Sequence, residues 1–123
     1  MRRVTGDYPG AAQVLERALG IYRDISDRLG EAEVHNRSGT LRRKSGDPEH
    51  ALTHHQRALD LARAVDSPLE EARALEGTGW CALDRGGTAT AVTELRQALA
   101  IYQRIGAAEA AQLATDLADM DAE

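Results

Sequence analysis

Residues 6–19 read GDYPGAAQVLERAL and residues 46–59 read GDPEHALTHHQRAL, so the pattern GD…A…RAL returns after 40 residues without a gap. A third copy over residues 86–99, GGTATAVTELRQAL, keeps the first Gly, the Ala and the Ala-Leu pair. Repetition at a fixed period of roughly 20–50 residues is typical of tandem-repeat arrays, in which each unit buries its apolar face against its neighbours. The period therefore predicts an array of small repeated units.

Each period contains two segments with the apolar spacing of an amphipathic helix. In the first copy, Leu15, Leu19 and Tyr22 recur at intervals of four and three residues. No segment alternates apolar and polar residues as a half-buried strand does. The sequence therefore predicts an all-α protein of about six antiparallel helices. They are expected over residues 8–25, 29–44, 48–65, 68–84, 88–104 and 107–120.

Residues that favour helix ends and turns separate the predicted helices. Asp47 before Pro48 has the form of an N-cap followed by Pro at the first helical position. Ser67 and Glu70 have the spacing of a capping box. Glycines lie near the predicted helix ends or in turns. The remaining predicted N-caps are Asp7 and Thr88, and the glycines are Gly30, Gly46, Gly86, Gly87 and Gly106.

The composition disfavours several classes of protein. The 123 residues include 20 acidic and 15 basic side chains, and the resulting formal charge of −5 argues against direct nucleic-acid binding. There is no run of about 18 apolar residues that would span a membrane, and no pattern of a signal peptide. The one cysteine, Cys81, cannot form an internal disulfide. We therefore expect a cytoplasmic protein with no membrane interaction.

Small residues recur at fixed places within the period, with spacings of 12 and 7 residues. They are Gly39, Ala51 and Ala58 in one copy and Gly79, Ala91 and Ala98 in the next. This set resembles the tetratricopeptide repeat, and the resemblance covers nearly the whole chain. The standard unit has about 34 residues, and the additional six here are residues 66–71. This long form, with the phrases around Trp80 and Tyr102, is similar to repeats in large actinobacterial regulators of the antibiotic-regulatory and signal-transduction ATPase types.

The resemblance implies a right-handed α-solenoid built from antiparallel helix pairs. The phase of the period divides the chain into a half repeat over residues 1–31 and full repeats over 32–71 and 72–105. A second half repeat covers residues 106–123. The chain thus opens and closes within a repeat in this reading.

The first predicted helix carries an apolar face for which the sequence supplies only part of a partner. This face contains Val14, Leu15, Ile21 and Ile25. Repeat arrays need polar capping units at their ends. We therefore expect either a segment of a longer array or a homo-oligomer that covers this face.

By the same resemblance, partners bind along the first helix of each repeat. The groove-facing positions have the spacing 0, 3, 7, 10, which places each set on one helix face. They are Glu33, Asn36, Thr40, Arg43, Arg73, Glu76, Trp80 and Leu83. Asp116 and Met120 would continue the surface. Trp80 is the single Trp, and it is either an anchor for a partner or packing between repeats.

The chain departs from the family pattern inside its helices. His55 and Leu95 stand where the second helix of a repeat often carries an aromatic residue between its two small residues. Arg42 and Ala82 replace an aromatic residue in the middle of the first helix. These departures predict loosely packed cores.

The residues that carry reactive groups have simple structural explanations. His50 and His54 are one helical turn apart, but two ligands alone do not form a metal site. Cys81 lies among small residues and is predicted to be a small buried hydrophobe. Gly77-Thr78-Gly79 lacks the Lys that follows in a phosphate loop. We expect no catalytic residues, no cofactor and no metal, and therefore no enzyme.

These observations predict a protein–protein interaction module that acts as a scaffold or regulatory segment, with a protein or peptide as its partner. Two alternatives stay open, namely a groove that senses a peptide or small molecule and a homo-oligomerisation unit. The predicted register can be tested by mutation. Ala58→Leu should lower the melting temperature clearly because Ala58 lies at the seam between two helices, whereas Ala62→Leu should be mild.

Overall fold

The helices of the protein follow one another with a regular spacing set by their caps. The computed structural model describes residues 8–122, with the side chains of 8–121. Its helices are α1 (Tyr8–Asp24), α2 (Arg28–Lys44), α3 (Pro48–Ala64), α4 (Pro68–Asp84), α5 (Thr88–Ile105) and α6 (Glu109–Ala122). No strand occurs within these residues. The all-α prediction is confirmed, and the predicted bounds differ from the observed ones by at most two residues.

The turns repeat a common arrangement every 20 residues. An N-cap side chain accepts a hydrogen bond from the backbone N–H three residues later, which satisfies a helical donor that has no partner within the helix. The residue before the N-cap of each helix from α2 to α5 has a left-handed backbone, and so does Gly106, which ends α5. The side-chain caps are Asp27, Asp47 and Ser67, and the left-handed residues are Ser26, Gly46, Asp66, Gly86 and Gly106.

Two of the predicted helix-end residues differ from the observed caps. The N-cap of α5 is Gly87, which provides no side-chain bond, and Thr88 is the first helical residue. Glu70 supplies only half of the capping box, because its N–H bonds the Ser67 hydroxyl while its carboxylate turns to residues of the neighbouring groove. Gly30 lies in the first turn of α2, near a helix end as predicted, where its N–H bonds the Asp27 cap and the ring of Tyr22 covers it. Asp7 lies outside the described residues.

Consecutive helices pack against each other, and α2 also contacts α4, so the chain forms an α-solenoid. The packing is most extensive within the pairs α2–α3 and α4–α5. Leu75, Leu95, Tyr102 and Leu113 lie in the core, whereas α1 has no fully buried residue. The apolar core therefore lies among α4, α5 and α6. The division into two full and two half repeats stays a prediction.

The seams between helices depend on small residues. The alanines predicted at the seams, Ala51, Ala58, Ala91 and Ala98, are fully buried. A Cβ added to Gly39 would overlap the His55 ring, and one added to Gly79 would lie 2.9 Å from the Leu95 side chain. His55 and Leu95 are themselves buried, so the expected loose packing at these two positions is wrong.

Ala62 differs from its predicted environment. Ala62 is as completely buried as Ala58. The exposure of the two residues therefore gives no reason to expect that Ala62→Leu is milder than Ala58→Leu. The 40-residue period pairs Ala62 with Tyr22 of α1 and Tyr102 of α5. The structure therefore contains a small residue in α3 where both neighbouring copies carry a large one, and the sequence spacing alone did not show that this site is enclosed.

Candidate functional site

A cavity of about 590 Å³ opens between α2 and α4, and we call it the α2–α4 groove. Seven of the eight predicted groove residues line it, namely Glu33, Asn36, Thr40, Arg43, Arg73, Glu76 and Trp80. The eighth, Leu83, is half-buried and does not line the cavity. Asp116 and Met120 of α6 are half-buried outside it, and Met120 packs against the core. The 3–4–3 spacing therefore brings most of the predicted residues to one surface.

Asn36 and His55 form the buried part of the groove wall. The Asn36 Nδ2 donates to the backbone oxygen of Glu70 at 3.1 Å and to its Oε1 at 3.0 Å. The Asn36 Oδ1 is then the acceptor for His55 Nδ1, 2.9 Å away, so the His55 proton resides on Nδ1. Burial, with the nearby His54 and Arg43, lowers the pKa of His55 to about 4. His55 is therefore neutral at physiological pH and holds the Asn36 amide in place.

An ion-pair chain extends this wall from α4 to α6. The Arg73 guanidinium donates to Glu70 and to Glu109, each at 2.8 Å. Burial opposes the charge of Arg73, but the bonds to Glu109 and Glu70 outweigh it and raise the pKa of the guanidinium. Partial burial likewise disfavours the Glu109 carboxylate, but the bond from Arg73 outweighs it and lowers the pKa of Glu109. The charges of Arg73 and Glu109 persist at neutral pH, and the single guanidinium is shared between two carboxyl groups.

Trp80 has a fixed orientation in the groove. Its Nε1 donates to Glu76 at 2.9 Å, and the same carboxylate accepts the Tyr102 hydroxyl at 2.9 Å. Burial and the adjacent Glu76 raise the pKa of Tyr102, which therefore stays a donor. The Arg43 guanidinium lies 5.6 Å from the Trp80 ring centroid and pairs with Asp84 at 2.6 and 3.0 Å. Trp80 packs against the core and also lines the groove, so it combines both predicted environments.

The family model of the tetratricopeptide repeat matches residues 1–64 and 30–104 of the chain. The chain belongs to the tetratricopeptide repeat family. Tetratricopeptide repeats are in general non-catalytic scaffolds that mediate protein–protein interaction. No curated protein matches the chain. Among the described residues, none of the helices of this tetratricopeptide repeat array is long and apolar enough to cross a membrane.

Four polar side chains of this tetratricopeptide repeat groove have no hydrogen bond or ion pair within the described part of the chain. They are Glu33, Arg37, Thr40 and Lys44, all on α2. The α4 side differs, because Arg73, Glu76 and the Trp80 N–H are all engaged. The groove therefore offers free donors and acceptors on one wall and an aromatic face on the other.

The histidines of the repeats point to separate partners. His50 contacts Asp47 at 2.6 Å, and His54 contacts His35 with 3.0 Å between the two Nδ1 atoms. No group of three His, Cys, Asp or Glu side chains that could hold a metal ion occurs in residues 8–121. Cys81 is fully buried, and burial raises the pKa of its thiol, so the thiolate is disfavoured. The predicted small buried hydrophobe is confirmed at this position.

Several residues that line the groove of this repeat pair lie outside the predicted 0, 3, 7, 10 positions. Arg37 and Lys44 are each four residues after a predicted groove residue, so a broader helix face would have included them. Tyr102 and Glu109 come from α5 and α6, and His55 comes from α3. Of these three residues, only His55 could have been found from the sequence, because it lies between the two small residues of a second helix. The other two reach the groove through packing of distant helices.

Proposed function

We propose that this chain is a protein–protein interaction module and that a protein or peptide segment binds in the α2–α4 groove. The observation that supports this proposal most strongly is the groove itself, an open cavity of about 590 Å³ lined by residues of neighbouring first helices. Clefts of this size, with an aromatic side chain and a few convergent polar groups, are typical binding sites. The family of the chain favours a polypeptide over a small molecule as the occupant.

The internal bonds of the groove support the proposed binding mode. Trp80 is fixed by Glu76, and Asn36 is fixed by Glu70 and His55. A side chain that is already ordered loses little conformational freedom on binding, so pre-organised walls reduce the entropic cost of association. The partner would stack on Trp80, a residue type enriched among binding hot spots, and would bond the free polar groups of α2.

We further propose that the module is a regulatory segment of a larger cytoplasmic regulator. The 40-residue unit and the phrases around Trp80 and Tyr102 support this idea through their similarity to repeats of large actinobacterial regulators. In that setting the groove would sense or hold another part of the regulatory assembly. Direct contact with nucleic acid is not part of the proposal, because the chain carries a net charge of −5.

A matched pair of substitutions tests the groove. Glu33 lines the α2–α4 groove, whereas Glu94 of α5 does not. Both are half-buried helical glutamates without an ion pair among the described residues. Wild type, Glu33→Tyr and Glu94→Tyr are immobilised and exposed to a lysate of the source organism. We expect proteins that are retained by wild type and Glu94→Tyr and are lost from Glu33→Tyr, because the ring fills the groove.

Circular dichroism and thermal unfolding of the three proteins verify that each is folded. An identified partner is then titrated while Trp80 fluorescence is recorded, because a ligand on the ring changes its emission. Retention of the same proteins by all three chains would contradict binding in the groove. A titration without any change in Trp80 emission would contradict stacking on Trp80.

A further inference from the structure

The charged side chains of the α2–α4 groove are divided between its two ends. One end is formed by the N-terminal halves of α2 and α4 and by the start of α6, and we call it the acidic end. The opposite end, along the C-terminal half of α2, is basic. Glu33 and Lys44 are 11 residues apart, about 16 Å along the helix axis. Among the described residues, the acidic end carries Glu33, Glu70, Arg73, Glu76 and Glu109, and the basic end carries Arg37, Arg43 and Lys44.

The ion pairs of the acidic end do not balance its charge. Arg73 supplies the positive charge of this end, and its guanidinium is shared between Glu70 and Glu109, each at 2.8 Å. Glu33 is half-buried on the α2 wall and forms no ion pair among the described residues. These three carboxylates are therefore offset by one guanidinium.

Glu76 adds a fourth negative charge to the acidic end. Its carboxylate accepts hydrogen bonds from the Trp80 Nε1–H and the Tyr102 hydroxyl, each at 2.9 Å, and both of these donors are neutral. Burial and the charges of Glu76 and Glu109 raise the pKa of Tyr102, and Arg73 only partly opposes them. The carboxylates therefore outweigh the guanidinium at this point, and the electrostatic potential around the hydroxyl is negative.

The basic end shows how a basic side chain is held in this groove. The Arg43 guanidinium lies 5.6 Å from the centroid of the Trp80 ring and pairs with Asp84 at 2.6 and 3.0 Å. An aromatic ring and a carboxylate together bind such a cation, the ring through its π face and the carboxylate through charge-assisted hydrogen bonds. The acidic end offers the same two features, because Glu76 is bonded to the same ring and Glu33 lies on the facing wall. A cation supplied by a partner therefore fits there.

We propose that the segment bound in the α2–α4 groove places one Lys or Arg side chain at the acidic end, with Glu33 as its carboxylate partner. This inference rests on the proposed function, because it specifies the segment that the groove binds. A cation at this end offsets the negative charge that Arg73 leaves unbalanced, and the basic side chains of the opposite end repel a second base. The partner is therefore a segment with one basic anchor and not a uniformly basic one.

Random heptapeptides displayed on phage provide a probe whose sequence is not chosen in advance. The library is selected on immobilised wild type. Peptides that also bind Glu33→Tyr are removed, because the tyrosine ring fills the groove and such peptides bind elsewhere. The remaining peptides are synthesised and labelled, and fluorescence anisotropy measures their affinity for wild type, Glu33→Gln and Glu94→Gln. Glu33→Gln removes only the charge, and Glu94→Gln is the same change outside the groove.

We expect the selected peptides to share one Lys or Arg. Its replacement by Gln in the peptide and Glu33→Gln in the protein should each weaken binding about tenfold, as expected for one charge-assisted bond. The two changes together should weaken binding little more than either change alone, because both remove the same pair. Glu94→Gln should bind like wild type. Circular dichroism and thermal unfolding verify that the variants are folded.

The other outcomes separate this inference from the proposed function. Peptides that fail to bind Glu33→Tyr but share no Lys or Arg, or are basic throughout, would overturn the single basic anchor and leave binding in the groove intact. Additive effects of the peptide base and Glu33 would also overturn it, because the base would then lie against another group. A selection in which no peptide distinguishes wild type from Glu33→Tyr would overturn both the anchor and the proposed binding in the groove.

Discussion

His55 links the packing of the array to the wall of its groove. The ring lies between Gly39 and Gly77, and a Cβ on either glycine would overlap it. Its Nδ1–H is used by Asn36, so one side chain separates α2 from α4 and also orders a groove residue. Leu95 occupies the same position in the next repeat and supplies only the packing. At the scale of the residue, the polar wall of the groove therefore depends on His at a core position where the next repeat has Leu.

The buried histidines make stability depend on pH. The pKa of His55 is lowered to about 4 by burial, His54 and Arg43, and that of His35 is lowered to about 4 by burial, His54 and two nearby arginines, Arg23 and Arg57. An unfolded chain binds these protons near pH 6.5. Between pH 6.5 and 4 the unfolded state therefore holds more protons than the folded state, and the free energy of unfolding falls as the pH falls.

We expect His55→Leu to flatten this dependence by up to one proton, about 1.4 kcal/mol per pH unit. The variant should be less stable than wild type at pH 7.5, because Asn36 loses its partner. Urea unfolding at pH 7.5, 6.0 and 5.0 measures both effects. His50→Gln, on the exposed side of the same helix, is the control. Equal pH slopes for wild type and His55→Leu would show that His55 is not protonated on unfolding in this range.

Gly→Ala substitutions should change the free energy of unfolding in opposite directions, depending on whether the glycine has space for a Cβ atom. Gly39→Ala should lower the free energy of unfolding by about 1–3 kcal/mol, because the His55 ring cannot move away from it without meeting Gly77. Gly20→Ala, in α1, meets nothing within 4 Å and should raise it by about 0.5–1 kcal/mol through helix propensity. Thermal and urea unfolding measure the pair. A stable Gly39→Ala would mean that the seam can widen.

At the scale of the element, α5 lacks the N-terminal side-chain cap that α2, α3 and α4 have. Gly87 has a backbone that any residue can adopt, and a Cβ there would meet nothing closer than 3.4 Å. Gly87→Asp should therefore stabilise the protein by about 0.5 kcal/mol through the cap and the helix dipole. Gly86→Asp is the matched control. Because Gly86 has φ +85°, that change should cost about 1 kcal/mol. Chemical unfolding of both variants measures whether each change raises or lowers the free energy of unfolding.

Helices and caps could be predicted because they depend on neighbours in sequence. Asp47 and Ser67 cap the residues three positions later, and the period fixes where each helix begins. The groove wall could not be predicted in the same way. Asn36 and Glu70 are 34 residues apart, and Arg73 and Glu109 are 36 apart, so their bonds exist only once the helices are stacked. The enclosure of Ala62 has the same cause.

At the scale of the whole molecule, stability should be distributed unevenly along the array. In a solenoid each unit contacts only its neighbours, so the free energy is close to a sum of local terms. Helix α4 contains eight buried residues, whereas α1 contains none among the described side chains. The α6 helix has no basic residue in its last turn to offset its dipole. The end helices are therefore expected to open before the centre does.

Hydrogen exchange measured by mass spectrometry tests this distribution. We expect amides of α4 to exchange only with global unfolding, and those of α1 and α6 to exchange at least about tenfold faster through local opening. Equal protection throughout would mean that the array unfolds as one unit. Protection of α1 that rises with protein concentration would instead mean that a second copy covers it.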